Sequence, residues 1–475
     1  MTRTVAFLMT AAVATSGYAG SRDAMIAPGP ERPWLVPDSS RYSAVRGDRG
    51  GEPAIEPGKA YELAELIDIA QRTNPETRIA WEHAREAALG VGIAASAYAP
   101  VLAAKATAGF QHVSSPLPST IKPDGHFVAD TEAFLPALTL KWLLFDFGGK
   151  EATLDAAQQA LAGANFGFNA THQRIVFDVT RTYYAVNTVR GRVEVARASL
   201  ALAQTLQDAA ESRRGRGLAT LPEVLQAREQ SARAAYDLQE SLAAETDARM
   251  ALLEAMGVRP TTAVSVASLA GRALPAAVED AAERFVERAL AQRPDLMSRV
   301  AGVRAREADI RKAEADFWPR IVVAGDLGQN IGRVRTEGIG GWSSINEPAY
   351  GAAISIELPI FDGGLRRDRL GVARSQRRVA EEELERARDQ AARQVVKAYE
   401  DLKVALTRRD AAVALLAAAE KSHDAAIDSY RNGVATFIDV TNAQTALTRA
   451  RTADIETRSG LFTAAAALAF STGDL

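Results

Sequence analysis

Two stretches, WLLFDFGGK at 142–150 and LPIFDGGLR at 358–366, decide how this chain folds. When the chain is slid by 216 residues, Phe145-Asp146 falls on Phe361-Asp362 and Tyr183 falls on Tyr399. The same offset lays GLATLPEVLQA (217–227) on GVATFIDVTNA (433–443). Upstream, Pro75 and Pro100 fall on Pro294 and Pro319 at an offset of 219, so the length change sits in the variable segments between, as loops allow. Self-similarity of this order specifies one structural unit written twice.

Each unit reads helix, strand, variable loop, strand, long helix, helix. The first repeat spans 59–275, with strands at 101–111 and 136–145, a long helix at 150–213 and a helix at 221–256. The second spans 276–475, with a helix at 283–316, strands at 320–330 and 350–361, a long helix at 365–430 and a helix at 437–470. The fold class is therefore mostly α with a small β part.

The long helices announce themselves by the absence of proline between Pro136 and Pro222, and after Pro359. In the second, Leu384, Ala387, Ala391, Val395, Ala398 and Leu402 step by threes and fours, a coiled-coil-like seam. RRDRLGVARSQRRVAEEELERARDQ supplies a charged outer face. Each rod ends in a glycine-containing turn, RGRGLAT or RNGVAT, as helix C-termini prefer.

The strands lie just before the repeated phrase. Leu138, Leu140 and Trp142 alternate with Thr139 and Lys141; Ile354, Ile356 and Leu358 alternate with Ser355 and Glu357. Their partners set Leu102 and Phe110 against Lys105 and Thr107, and Ile321, Val323 and Leu327 against Asp326. Period-2 alternation over about 9–11 residues suits a tilted barrel strand, apolar to lipid and polar to the lumen. A soluble half-buried sheet gives the same pattern. The segments 112–133 and 329–349, rich in Ser, Pro and Gly, read as surface loops. Four strands cannot close a membrane barrel, and lipid tolerates no open sheet edge, so strands in a membrane would have to be pooled between copies of the chain. The phrase itself marks the exit from strand to helix. Asp146 and Asp362 are placed to accept backbone N–H bonds there, and Gly148, Gly149, Gly363 and Gly364 to permit the sharp turn.

Other chemistry is excluded or unsupported. With no cysteine there is no disulfide, thiolate metal site or cysteine nucleophile. A net charge of −3 offers no field for nucleic acid. No two of His83, His112, His126, His172 and His423 stand at i, i+4, as a helical metal site requires. GIGGWS (338–343) lies in a surface loop rather than before a helix, and no nucleophile–base set is visible, so neither an enzyme nor a cofactor is expected. Arg3, the apolar run Val5–Val13 and Gly17-Tyr18-Ala19 read as a secretory signal peptide over 1–19, followed by a Pro/Gly/Arg-rich linker at 20–58.

The ordered double set resembles the TolC family of outer-membrane efflux and secretion ducts. It is carried by the two copies of the phrase, by TNPETRIAWEHAREAA (73–88) with QRPDLMSRVAGVRAREA (292–308), and by Tyr430-Arg431-Asn432-Gly433 with Thr436 through Asp439. The resemblance implies a homotrimer in a Gram-negative outer membrane. Three protomers of four strands would share one twelve-stranded barrel in lipid, with an α-helical tunnel in the periplasm. It implies a periplasmic adaptor (membrane fusion) protein and an inner-membrane pump of RND or ABC type as partners, as in efflux or type I secretion. It places a closing aperture at Tyr430, Asp439 and Asn442, with Glu223 helping from the first repeat. The chain departs from the family's pattern at Ala435, where an arginine is usual, and at Asn442, where a second aspartate is usual. The competing reading is a structural periplasmic or surface coiled-coil protein without transport activity.

Overall fold

The computed structural model describes residues 55–56, 58–116, 118, 120, 125–269, 271–274, 281–336 and 340–475. The expected leader at 1–19 and nearly all of the linker at 20–58 lie outside these residues.

The first repeat runs β1 (Ala60–Tyr61), α1 (Leu63–Thr73), α2 (Pro75–Ser96), β2 (Val101–Pro116), β3 (His126–Phe145), α3 (Gly149–Gly215) and α4 (Leu221–Met256). β4 (Ser265–Val266) closes the first repeat, and the second runs α5 (Ala282–Gln292), α6 (Pro294–Ala315), β5 (Arg320–Thr336), β6 (Trp342–Glu357), α7 (Leu365–Arg431) and α8 (Phe437–Thr472). The duplication is exact in helix length: 11 residues in α1 and α5, 22 in α2 and α6, 67 in α3 and α7, 36 in α4 and α8. The 67-residue helices are rods of about 100 Å at about 1.5 Å per residue.

Alanine and β-branched residues make the close helix contacts. Of the anticipated α7 seam, Leu384, Ala391, Val395, Ala398 and Leu402 are buried and Ala387 is half-buried. Midway along α3, Ile175, Val179 and Tyr183 pack with Leu66 of α1 and with Leu252 and Met256 of α4. The second repeat copies this core with Val395, Ala398 and Leu402 against Ala289 of α5 and Leu461 of α8.

The helix expected at 283–316 is two helices. Proline disfavours helical backbone in the residue before it, so Arg293 is extended (φ −63°, ψ 121°) and the chain bends ahead of Pro294. Asn74 does the same ahead of Pro75. Both bends are docking points. Asn74 Nδ2 donates to the Ala255 carbonyl (2.9 Å) and Thr73 Oγ1 to the Met256 carbonyl (2.7 Å), tying the bend to the end of α4. Gly257, which ends α4 at φ +69°, lies so close that a Cβ would stand 2.6 Å from Asn74 Cα. In the second repeat Arg293 takes the place of Asn74. It forks onto Asp295 (3.0 and 2.8 Å) and reaches Gln394 of α7 (2.9 Å) and the Ser471 carbonyl of α8 (3.2 Å).

β1 and β4 pair in parallel as a separate two-stranded ribbon, while β2, β3, β5 and β6 form one antiparallel sheet in the order β2-β3-β5-β6. Its register puts the four alternating patterns on common faces. Leu102 pairs with Leu140, Leu138 with Leu327, Val323 with Ile354, and Ile321 with Ile356, all on one side. Lys105, Thr139, Lys141, Asp326 and Ser355 fall on the other. Among the described helices none is long and apolar enough to cross a membrane.

All four strands of this sheet are longer than the alternation indicates. β2 continues to Pro116, β3 begins at His126 and β5 continues to Thr336, so most of the stretches read as loops (112–133, 329–349) are strand. Beyond Phe110 polar and charged side chains take over the face that is apolar further along the strands. Asp130 meets His112 (2.6 Å) and Arg335 (2.6 Å), and Glu132 meets Arg333 (2.6 Å). β6 begins early, at Trp342 inside the presumed GIGGWS loop, and stops at Glu357 rather than 361, because Pro359 has no N–H to give a ladder.

Candidate functional site

The repeated phrase sits where β3 passes into α3 and β6 into α7. At each junction two consecutive residues take left-handed backbone: Phe147 (φ 52°) and Gly148 (φ 94°), then Gly363 (φ 67°) and Gly364 (φ 94°). Gly148 and Gly364 are the N-caps of their helices. The carboxylate cap is present at Asp362, which accepts the N–H groups of Gly364 (3.1 Å) and Arg366 (3.2 Å) and the Arg366 guanidinium (2.6 Å). Those bonds, led by the one from Arg366, hold its carboxyl below the usual aspartate range.

At Asp146 the reading needs correction. The turn closes through its main chain, with Gly149 N–H donating to the Asp146 carbonyl (3.2 Å). The residue equivalent to Arg366 is Lys150, which does not fold back on the aspartate. It donates instead to the carbonyls of Leu143 (2.8 Å) and Leu144 (3.2 Å). Gly149 is required for closeness rather than for φ, since a Cβ there would stand 2.7 Å from Asp146 Oδ2. Each cation also covers an aromatic ring in its own repeat, Lys150 over Tyr98 (4.9 Å) and Arg366 over Phe317 (5.4 Å). Phe147 is the exception to glycine in the turn. Its ring stacks on Trp318 (5.4 Å) and meets Phe145 edge-on (4.7 Å), contacts that offset a left-handed backbone costing about 1–2 kcal/mol.

The other constellation lies at the far ends of the rods, where α3 turns into α4 and α7 into α8. Tyr430 Oη donates to Glu223 Oε1 at 2.7 Å, joining the second hairpin to the first. Burial, the Glu223 bond and the Glu223 charge push the Tyr430 hydroxyl up to about 12, so it remains a donor. The Arg213 guanidinium lies 4.8 Å over the Tyr430 ring, and Phe437 meets that ring edge-on at 6.2 Å. Beneath them Ala210, Val224, Ala227 and Phe437 form a small apolar core shared by all four helix ends.

Asp439 is exposed and occupied locally. Its Oδ2 accepts the Thr436 hydroxyl (2.6 Å) and the Thr436 N–H (2.8 Å), while Asp439 N–H donates to Thr436 Oγ1 (3.3 Å). This is a reciprocal helix cap. The hydroxyl bond and then the N–H bond keep the carboxyl below its ordinary value. Asn442 is exposed three residues further along α8, on the Asp439 side of the helix. Tyr430 and Glu223 are thus in direct contact, whereas Asp439 and Asn442 face outward beside them. Arg213 is not singled out by the sequence; the only signal for it is its place immediately before the first turn, RGRGLAT. Among the described residues no cluster of three or more His, Asp or Glu side chains is arranged to hold a metal ion.

The sequence profile of the outer membrane efflux protein family matches residues 66–258 and 285–474, one block in each repeat. The chain belongs to that family. This outer membrane efflux protein is 28% identical over 414 residues to Protein CyaE of Bordetella pertussis, covering 87% of this chain and 84% of CyaE. It is 26% identical over 431 residues to outer membrane protein OprJ of Pseudomonas aeruginosa, covering 88% and 86%. Its fold is that of the outer membrane protein VceC of Vibrio cholerae, with a TM-score of 0.71 at 22% identity over 86% of this chain and 96% of VceC. The efflux protein is an outer-membrane export duct of the Gram-negative envelope, its sheet at the membrane and its helices on the periplasmic side.

Proposed function

We propose that three copies of this chain close one twelve-stranded barrel and one continuous helical tunnel, and that the tunnel serves as the exit duct of a tripartite export system. One observation carries this reading. The four-stranded sheet has a single register-aligned apolar face, and its order ends in β2 on one side and β6 on the other. A sheet in lipid must close on itself, and the smallest membrane barrels need about eight strands. One copy is too small and three give twelve, as in the ducts the chain resembles. The strands are 16 to 20 residues long, well over the ~9–11 that cross the hydrocarbon, so the charged pairs around Asp130 and Arg335 would stand beyond the lipid.

In this reading the rods reach inward across the periplasm and their tips form the aperture. Tyr430–Glu223 would hold the second hairpin against the first. Three Asp439 carboxylates and three Asn442 amides would line the opening and favour cations. A periplasmic adaptor, engaged with an inner-membrane pump of RND or ABC type, would draw the α7–α8 pair outward and break the Tyr430 bond. Population of the open state would then follow adaptor binding. The strand–helix junctions at Asp146, Gly148, Gly149 and Asp362, Gly363, Gly364 would serve as the rigid passage from barrel to tunnel.

Native mass spectrometry of the detergent-purified protein tests the assembly, and a mass of three chains is the expected result. Ion selectivity of Asp439→Ala tests the aperture. An unchanged cation preference would remove Asp439 from it.

A further inference from the structure

On β5 the residues that share the apolar side of the sheet are Ile321, Val323, Leu327 and Ile331, with Gly325 and Gln329 among them. The run from Ile321 to Ile331 covers about 33 Å of strand at about 3.3 Å per residue. A tilt of about 40° turns that into about 25 Å of height, the height of the apolar band on an outer-membrane barrel. The next residues on the same side are Arg333 and Arg335.

Charge changes sides at this level. Below it the charged residues of the sheet, Lys105, Lys141, Arg320, Asp326, Glu347 and Glu357, all lie on the side opposite the apolar band. Above it His112, Asp130, Glu132, Arg333 and Arg335 all lie on the same side as the band. The reverse of those upper rows carries Gln111, Thr131, Ala133, Gly332 and Val334, none of them charged. Strand ends surrounded by water have no reason to sort every charge to one side. A charged belt directly above an apolar one faces a headgroup layer. We infer that Arg333, Arg335 and Trp342 hold the phosphate of an outer-leaflet lipid headgroup. The inference rests on the barrel proposed above, but the patch lies within one chain, on β3, β5 and β6.

The two guanidinia are fixed so that they look away from the sheet. Arg333 donates from Nε to Glu132 (2.6 Å), and Arg335 from Nε and Nη2 to Asp130 Oδ2 (3.2 and 2.6 Å). His112 Nδ1 meets the same Asp130 at 2.6 Å. The Asp130 and Glu132 side chains are 11% and 42% exposed, those of Arg335 and Arg333 55% and 54%, so the cations lie over the carboxylates. Both guanidinia also converge on one ring. Arg333 Cζ is 4.7 Å and Arg335 Cζ 5.3 Å from the centre of Trp342, which pairs with Arg335 across the β5–β6 ladder. A guanidinium held by one edge offers its remaining N–H groups to a second oxyanion, and its planar fork matches phosphate oxygens. The indole suits this depth, because Trp concentrates where hydrocarbon gives way to headgroups. An open recess of about 510 Å³, lined by His112, Asp130 and Arg335 among others, adjoins the fork and has room for the group that carries such a phosphate.

Native mass spectrometry of the detergent-purified, delipidated protein tests the site. The probes are lipid A, a diphosphorylated acyl glucosamine disaccharide, and the same lipid with both phosphates removed. The wild type is expected to bind the phosphorylated lipid about tenfold more tightly, the discrimination that one charge-assisted hydrogen bond supplies. The double variant Arg333→Gln, Arg335→Gln should bind the two lipids equally. Lys105→Gln, which removes a cation from the other side of the same sheet, should keep the wild-type ratio. Inorganic phosphate at the same concentration should not displace the lipid. Equal binding of the two lipids by the wild type, discrimination that survives in the double variant, or displacement by inorganic phosphate overturns the lipid site. The first of these needs no variant, so a variant that fails to fold does not decide the matter. The same spectra count the chains. A monomer that discriminates overturns the trimer and keeps the site, whereas a trimer that does not discriminate overturns the site alone.

Discussion

Glu223 and Asp439 occupy the same cap position in the two repeats, yet their carboxylates go to different partners. Asp439 folds back on Thr436 at 2.8 Å, whereas Glu223 crosses to the Tyr430 hydroxyl at 2.7 Å. Thr220, the counterpart of Thr436, still accepts the Glu223 N–H (3.4 Å), so half of the cap survives without the carboxylate. One methylene separates a side chain that closes its own helix from one that ties two hairpins together.

Shortening that side chain should therefore break the tie while keeping the helix. Glu223→Asp is expected to complete a Thr220 cap of the Asp439 kind and release Tyr430. Hydrogen exchange would show residues 220–224 as protected as in the wild type and residues 428–434 less so. Equal protection at 428–434 would mean that the tie contributes nothing.

Tyr430→Phe removes the donor and keeps the ring beneath Arg213 and against Phe437. A hydrogen bond to a charged acceptor contributes about 1.5–3 kcal/mol, and partial exposure reduces this one to about 1–2. A change of that size shifts a two-state equilibrium by roughly tenfold. Single-channel recordings should show a correspondingly larger open fraction.

The same bond should be insensitive to pH through the neutral and mildly alkaline range. Tyr430 is raised to about 12, so its stabilisation is complete below the ordinary tyrosine value of about 10. It is lost as pH rises through about 12. Ultraviolet titration of phenolate, wild type minus Tyr430→Phe, should place this residue among the last of the ten tyrosines to ionise.

Arg293 offers a test of the joint between helices. Replacement by Met leaves Asp295, Gln394 and the Ser471 carbonyl without their common donor and should cost about 2–4 kcal/mol. Burial pushes the Asp295 carboxyl up, but the Arg293 fork outweighs it and the net direction is down. The stabilisation is therefore complete above the ordinary aspartate value and lost as pH falls through the lowered one. Chemical denaturation across pH should show an acid-side decline that shrinks in Arg293→Met.

The turn at Phe147 separates strain from packing. Phe147→Gly and Phe147→Ala both lose the stack on Trp318, but only glycine accepts φ 52° freely. The alanine variant should be less stable than the glycine variant by about 1 kcal/mol in thermal unfolding.

Much of this architecture is legible in the sequence. The repeat is visible because backbone geometry demands glycine at 148, 363 and 364, where φ is positive, and because Pro75 and Pro294 stand at the same bend in the two repeats. The rods are visible because proline is missing from them. The outer halves of the strands are hidden because Asp130, Glu132, Arg333 and Arg335 pair with one another and break the alternation that marks a strand. The bend at Arg293 is hidden because the apolar spacing continues across Pro294. The Tyr430–Glu223 contact joins residues 207 apart, and no local pattern announces a contact between two hairpin ends. Resemblance pointed to both residues; only the packing of α3 against α8 brings them together.

Single-channel conductance of the detergent-purified wild-type protein in a planar lipid bilayer tests the duct most directly. Small, stable, cation-favouring currents are predicted, from a pore that rests mostly closed. A protein that never inserts and remains a water-soluble rod would contradict it.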